Sequence, residues 1–507
     1  MAIQSGTKNA PALEHASASN TISSVVVDNG GAPDKTAGAA PKTVGLVDGI
    51  VFVLSCTVGS GLFFAPGVSA HALGDPCASL LSWLVAGVLS LAGAWCYAEL
   101  GTTFVSAGAE SHYFKKAFGP ATSFCFTWST FLIAGSSACC AIAIVMGQYV
   151  IAIFTDATSP LSTQFIATGV LAFLAIVNMI NPSYVLMLNR FNVVCKVLAV
   201  AIVIVGAIIA AAMGATPANA FMGQSCFGPQ TEWASFGKGM VFALFAFSGW
   251  NYLNPLTAEM KDPQRDVPRV YTIGMLTTIT LALGVNVAFF VVLPFDQLTN
   301  KLAGPFAEVV DPASGILKPI LCLMISFCCL GSCNGIMMGS SRIIAAAGEN
   351  GDIPACFSWK TKRHGTPYVA LIAFAVYTSV MAFAMDLDDT VDFYTVGQWT
   401  FFVLIGISIY VLRRKFPDVR RPFKVIGYPV VPAVFVAVSA YAVGVTFVPG
   451  GSKVPVVALV GVAIMAAGFG VYYVRRMHRP AKVADDASTA GDKVQVELAT
   501  PAAAVEG

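Results

Sequence analysis

An all-α membrane protein of about twelve transmembrane helices is the fold class this sequence predicts, and three observations predict it. Of its 507 residues, 56% are hydrophobic and only 11% charged, against about 25% charged in soluble domains. Apolar stretches follow one another from near Val44 to Val474, each close to the roughly 20 residues a crossing helix needs. Lys and Arg alternate between the loops that join them. The spans fall near 45–70, 77–100, 120–153, 162–182, 189–213, 236–258, 269–294, 316–346, 367–385, 391–412, 427–448 and 454–474. The third and eighth are long enough to tilt or to extend beyond the bilayer.

Basic residues concentrate in cytoplasmic loops, so their distribution orients the chain. With an even number of spans both tails share a side. The loops of that side hold Lys115, Lys116, Arg190, Lys261, Arg265, Arg269, Lys360, Lys362, Arg363, Arg413, Arg414, Lys415, Arg420, Arg421 and Lys424, and Arg475, Arg476 and Arg479 follow the last span. The opposite loops carry Lys301, Lys318 and Lys453, with Asp386, Asp388 and Asp389. Both termini are therefore predicted to be cytoplasmic, in a multi-pass protein of the plasma membrane. Residues 1–41 and 480–507 are too poor in large apolar side chains to fold alone and are expected to be disordered tails. Residues 42–479 form one transporter domain, and no secretory signal peptide is legible ahead of it.

A net charge of +2 gives no reason to expect a nucleic-acid partner. Ten of the thirteen cysteines lie inside apolar stretches, where a free thiol behaves as a small hydrophobe. Cys226, in the loop before the sixth span, is expected to be an exposed thiol. Metal-ligand spacing is absent: adjacent cysteines such as Cys328 and Cys329 point to different helix faces, with no His or Asp nearby. Neither a metal nor a cofactor is implied.

Two interrupted helices carry the functional signal. Cys56-Thr57-Val58-Gly59-Ser60-Gly61 lies halfway along the first span with Pro66 beyond it, and Phe245-Ala246-Phe247-Ser248-Gly249-Trp250-Asn251 lies halfway along the sixth with Pro255 beyond it. Five spans separate the two starts, and an odd count turns the second copy upside down. Residues of about 44–213 and 236–412 are thus expected to be inverted repeats, followed by two extra helices at about 427–474. Matching breaks of this kind mark a solute site near the bilayer midplane. Unwinding frees backbone N–H and C=O groups that hydrocarbon cannot satisfy, and a zwitterion satisfies both: its carboxylate suits a half-helix N-terminus and its ammonium suits the carbonyls ending the other half. The competing explanation is that Gly59 and Gly61 form a small-residue packing face, which accounts for one break better than for two.

At these residues the chain resembles the L-type amino-acid transporters, the light-subunit family of heterodimeric transporters within the amino acid–polyamine–organocation superfamily. The resemblance rests on Gly59-Ser60-Gly61-Leu62-Phe63, Cys96-Tyr97-Ala98-Glu99-Leu100-Gly101-Thr102-Thr103, Gly249-Trp250-Asn251-Tyr252-Leu253-Asn254, Asn334-Gly335 with Ser340-Ser341-Arg342, and Arg421-Pro422-Phe423-Lys424-Val425. It implies a LeuT-type 5+5 inverted-repeat fold and an amino-acid substrate. Backbone at Gly59, Ser60 and Gly61 would hold the carboxylate, and carbonyls near Phe245, Ala246 and Ser248 the ammonium, with Thr57 and Gly249 also among the substrate-binding residues. Phe245 would be an aromatic gate, Asn251 a brace for the unwound segment, and Ser340, Ile336 and Gln398 candidates for the pocket wall. Family members that accept dibasic amino acids can carry an acidic residue where this chain has Ser248, so neutral substrates are favoured.

Lys196 is a cation within the fifth span, which costs about 2.5–3.5 kcal/mol at the centre on insertion scales and marks a functional candidate. It lies about 9 Å inside the cytoplasmic end, close enough to snorkel. The resemblance places it where sodium sits in sodium-coupled relatives, and a fixed cation there repels Na⁺. Sodium-independent transport follows, with Lys196 also a candidate proton-coupling group. The loop 155–164 lacks the cysteine that ties family members to a heavy chain, which argues against a disulfide-linked partner, and Ala134-Gly135 replaces the Arg-Pro pair usual in the third span of vertebrate members. A polyamine or choline carrier would call for an acidic residue near Ser248. An enzyme would call for a nucleophile–base pair, and Glu99, Glu110 and Glu259 lie near span ends without one. Proton-coupled or cationic transport and nutrient sensing on the same fold stay open.

Overall fold

Prolines and acidic caps set where the helices begin. Pro76, Pro120, Pro160, Pro182 and Pro263 each stand at or just inside a helix start, where the missing N–H costs nothing. Asp75, Asp262 and Asp386 precede a helix and accept an N–H from its first turn. The computed structural model describes residues 44–106, 108–155, 159–180, 182–257, 260–298, 301–349, 353–361, 365–448 and 456–478. The predicted tails, together with Glu259, Lys362, Arg363, Lys453 and Arg479, lie outside the described residues.

The first span is a bent pair, α1 (Leu46–Thr57) and α2 (Gly61–Leu73), with 48° between the two axes. The second is α3 (Pro76–Thr103), followed by a short helix, α4 (Ala109–Phe118). In the third, α5 (Pro120–Ser129) and α6 (Ser136–Ala152) are joined by a π-helical turn, Thr130–Gly135. The fourth and fifth are α7 (Pro160–Ile180) and α8 (Pro182–Ala212). The sixth is interrupted: α9 (Phe236–Ala246) gives way to a 3-10 turn, Trp250–Tyr252, and a single further turn, α10 (Leu253–Leu256). Then come α11 (Pro263–Val292), a loop helix α12 (Ala303–Val310), α13 (Leu317–Glu349), α14 (Tyr368–Ala384), α15 (Leu387–Lys415), α16 (Val430–Val445) and α17 (Val456–His478). All twelve predicted stretches are helical. The fifth and seventh start earlier than predicted, at Pro182 and Pro263 instead of 189 and 269; the added start of the seventh, Pro263-Gln264-Arg265-Asp266, is polar and escapes a hydrophobicity reading.

The packing repeats when the first five spans are exchanged for the next five. α2 packs on α9, α3 on α11, α6 on α13 and α7 on α14, which pairs each of the first four spans with its counterpart. The contact of α1 with α11 is matched by that of α9 with α3, and the contact of α15 with α6 by that of α13 with α8. Such reciprocity is what two copies related by a twofold axis produce. α16 lies against α15 and α3, and α17 against α5 and α15, outside this exchange.

Two polar clasps close opposite ends of α3. At its start, Asp75 caps α3 through Ala78 N–H at 2.8 Å and accepts from Thr231 Oγ1 at 2.9 Å and Gly228 N at 3.4 Å. Burial works against the charge on Asp75, but these hydrogen bonds outweigh it and hold the carboxyl below its usual value. A disulfide joins Cys77 to Cys226 with Cα atoms 5.3 Å apart, inside the ordinary range for such a bond. The expectation of an exposed thiol at Cys226 is therefore corrected: its partner stands 149 residues earlier, too distant in sequence to be paired by inspection.

At the other end, Glu99 accepts from Arg413 Nε and Nη2 at 2.8 and 2.6 Å and from Val425 N at 2.7 Å, with Arg421 Nε 3.8 Å away. The Arg413 guanidinium also covers the Tyr428 ring at 3.7 Å. The segments containing Glu99 and Arg421-Pro422-Phe423-Lys424-Val425, read separately in the sequence, thus meet through one carboxylate.

Candidate substrate site

The breaks in the first and sixth spans cross in contact. A Cβ on Gly61 would lie 2.7 Å from Ala246 Cα, and a Cβ on Gly249 would lie 2.6 Å from the Cys56 carbonyl oxygen. Gly249 also has φ +106°, a conformation that L side chains rarely adopt. Gly59 differs, since a Cβ there would meet nothing within 4 Å. The packing explanation therefore applies to Gly61 and Gly249, while Gly59 faces open space.

Among the described residues, the N–H groups of Gly59, Ser60 and Gly61 donate to no backbone carbonyl. They stand at the N-terminus of α2, which carries the positive end of a helix dipole. On the other strand of the crossing, α9 ends at Ala246 and presents its final carbonyls, which an α-helix leaves without internal partners. The Phe245 carbonyl accepts from Ser248 N at 3.1 Å and from Ser248 Oγ at 2.6 Å, which shapes the tight turn out of α9. N–H groups and carbonyl ends meeting at one point form an arrangement suited to a zwitterion.

An aromatic group lies beside this point. Phe245 is buried, its ring 5.1 Å from that of Tyr394 in an edge contact and 6.1 Å from that of Phe64. The Tyr394 side chain stands near that of Ser248. In α2, Pro66 has no N–H to offer the turn before it, and Tyr149 of α6 reinforces this stretch by donating to the Phe63 carbonyl at 2.6 Å.

Lys196 of α8 is 6% exposed, and its Nζ donates to the Ser55 carbonyl at 2.8 Å. It points inward to the first span and does not snorkel. Asn251 is buried, and its Nδ2 donates to Glu110 Oε1 on α4 at 3.1 Å.

Other expected residues are placed differently. The Thr57 hydroxyl bonds the Val53 carbonyl and Thr278 Oγ1, both at 2.9 Å, and is used in packing against α11. Ser60 is buried with its side chain in contact with the Cys329 thiol. Ser340 is buried against the π-helical turn, where a Cβ on Gly135 would lie 2.6 Å from Ser340 Oγ. Ile336 and Gln398 are partly buried, and on α13 it is Gly335 and Gly339 that face open space. Sequence reasoning did not single out Tyr394 or Tyr149, nor the hydrogen-bond partners of Glu110. The available signal was a polar or charged side chain inside or beside an apolar stretch.

Comparison with known proteins agrees with this architecture. The family described as amino acid permease matches residues 44–471. The human cystine/glutamate transporter is 30% identical over 439 residues, covering 85% of each chain. The mouse b(0,+)-type amino acid transporter 1 is 28% identical over 411 residues, or 79% of this chain and 82% of the relative. The human large neutral amino acids transporter small subunit 2 is 27% identical over 453 residues, or 87% of this chain and 82% of the relative. With crossed helix breaks, an all-helical membrane architecture and a match over most of its length, the chain belongs to the amino acid permease family and, within it, to the L-type amino-acid transporters.

Proposed function

We propose that this protein moves neutral L-amino acids across the plasma membrane by sodium-independent exchange or uptake, through alternating access around the crossing of the first and sixth spans. The observation that carries this reading is the crossing itself. Unpaired N–H groups at Gly59, Ser60 and Gly61 suit a carboxylate, and the carbonyl end of α9 at Ala246 suits an ammonium. Phe245 and Tyr394 cover the α-carbon, and Ser248 meets the side chain of the solute with a hydroxyl, which favours a neutral side chain. Lys196, tied to Ser55, holds a positive charge against the first span and disfavours Na⁺ there. The repeats run over about 44–213 and 236–412, with the last two spans packed outside them.

Cytoplasmic termini are supported by the loop cations and by the Cys77–Cys226 disulfide at the opposite end of the molecule, since disulfides persist in oxidising compartments. The same disulfide bears on partners. Loop 155–164 has no cysteine and Cys226 is occupied, which argues against a disulfide-linked heavy chain. Uptake of labelled amino acids into proteoliposomes, with and without internal amino acid, Na⁺ or a pH gradient, tests the reading. Neutral amino acids are expected to move whether or not Na⁺ is present, and a sodium requirement would refute the role given to Lys196.

A further inference from the structure

Glu110 is a carboxylate where no charge balances it. It lies on α4, 7% exposed, and its Oε1 accepts from Asn251 Nδ2 at 3.1 Å and from the Tyr97 hydroxyl at 3.2 Å. One side chain thereby joins α4, α3 and the interrupted segment of the sixth span.

The groups around it are neutral. Asn254 of α10 donates to the Tyr97 carbonyl at 3.0 Å and to the Tyr113 hydroxyl at 3.1 Å, and Tyr271 of α11 donates to Asn254 Oδ1 at 2.8 Å. Of the cations nearby, Arg413 of α15 binds Glu99, Lys415 donates to the Ala117 carbonyl at 2.8 Å, and Arg414 of α15 and Lys115 of α4 are exposed. On α4 itself, Lys116 lies over the rings of Phe104 and Phe416, and His112 stands against the Tyr113 ring. α5 carries no charged residue. Among the described residues no ion pair reaches Glu110. Burial pushes its carboxyl above the usual carboxylate value, while the bonds from Asn251 and Tyr97 work the other way.

We propose that Glu110 is a proton-binding site that sets how firmly the interrupted sixth span is held to the cytoplasmic helix α4, and so makes transport depend on pH. This rests on the transport reading above. When Glu110 is ionised, Asn251 and Tyr97 donate to a charged acceptor, but the burial of an uncompensated charge outweighs these bonds. When it takes a proton from the cytoplasmic solution, the charge is lost and one oxygen becomes a donor. The latch is then firmer, and the sixth span is freer to move when Glu110 is ionised.

Two measurements on the purified full-length protein test this. In proteoliposomes, exchange of a labelled neutral amino acid is followed at matched internal and external pH from about 5 to about 8. Exchange by the wild type is expected to fall about threefold to tenfold on acidification, as protonation removes the buried charge and firms the latch. Glu110→Gln, which keeps shape and an acceptor, is expected to show the acid rate throughout. Tyr97→Phe removes a donor that favours ionisation and is expected to move the inflection to higher pH, a shift that a merely structural role would not cause. In detergent, melting is followed over the same range. A carboxyl with a raised folded-state pKa binds more protons folded than unfolded, so its stabilisation is present at low pH and is lost as pH rises. Glu110→Gln is expected to lack that component. Wild-type and Glu110→Gln profiles that superimpose in exchange or in melting would overturn the proposal, as would a wild type flat with pH. If no amino acid exchanges at any pH, the transport reading fails, and the melting comparison alone decides whether Glu110 binds the proton.

Discussion

The Lys196 ammonium donates to the Ser55 carbonyl at 2.8 Å, joining the fifth span to the inner half of the first, two residues before α1 ends at Thr57. A buried cation bonded to a carbonyl so close to the break fixes where that half-helix stops. Removing it with Lys196→Met keeps the stem but loses a charged hydrogen bond, whose contribution is about 1.5–3 kcal/mol. Transport is expected to fall at least about tenfold while the protein still inserts and purifies. Initial uptake rates normalised to protein in the membrane check this, and Lys196→Arg is expected to recover part of the activity.

Gly59 and Gly61 separate the binding role of the first break from its packing role. Gly61 touches Ala246, so any larger residue there disturbs the crossing whatever the solute does. Gly59 faces open space. Gly59→Leu is therefore expected to abolish uptake while leaving the melting temperature near that of the wild type, whereas Gly61→Leu and Gly249→Ala lower both. Unchanged transport by Gly59→Leu would remove this residue from the site.

Ser248 gives a test of charge selectivity. Its hydroxyl lies 2.6 Å from the Phe245 carbonyl at the end of α9. An acidic side chain at this point would face the solute within a region of low dielectric, where a charge acts strongly. Ser248→Asp is expected to raise the uptake of lysine relative to leucine, measured in competition, by about tenfold or more.

The two clasps are structural, and their loss reads out as stability. Glu99 is 3% exposed and paired with Arg413, and breaking a buried pair by removing one partner costs about 3–5 kcal/mol. Glu99→Ala is expected to lower the melting temperature by more than any single surface substitution. Cys77→Ser frees the Cys226 thiol. A membrane-impermeant maleimide applied to intact cells is then expected to label the variant, but the wild type only after reduction.

Much of this fold was legible in the sequence because each span needs a long apolar run. Prolines and loop cations bounded most of these runs well. The short helices α4 and α12 were not legible, since ten and eight residues of mixed character leave no membrane signal. The two breaks were recognisable from Gly59-Ser60-Gly61 and Ser248-Gly249, but which glycine packs and which faces open space depends on where Ala246 and Cys56 come to lie. Pairings across long sequence distances escaped for the same reason: Asn251 with Glu110, Cys77 with Cys226, and Glu99 with Val425. Each is made by tertiary packing between spans far apart in the chain. Thr57 and Ser340 sit in the right helices, yet their hydroxyls turn toward neighbouring spans, a matter of helix rotation that spacing alone does not set.

Counterflow tests the central claim most directly. Proteoliposomes loaded with an unlabelled neutral amino acid and diluted into sodium-free buffer are expected to accumulate the labelled amino acid above its external concentration and then release it. Empty liposomes and Gly59→Leu should not. No transient accumulation of any amino acid, or accumulation only when Na⁺ is present, would contradict sodium-independent amino-acid exchange through the crossing of the first and sixth spans.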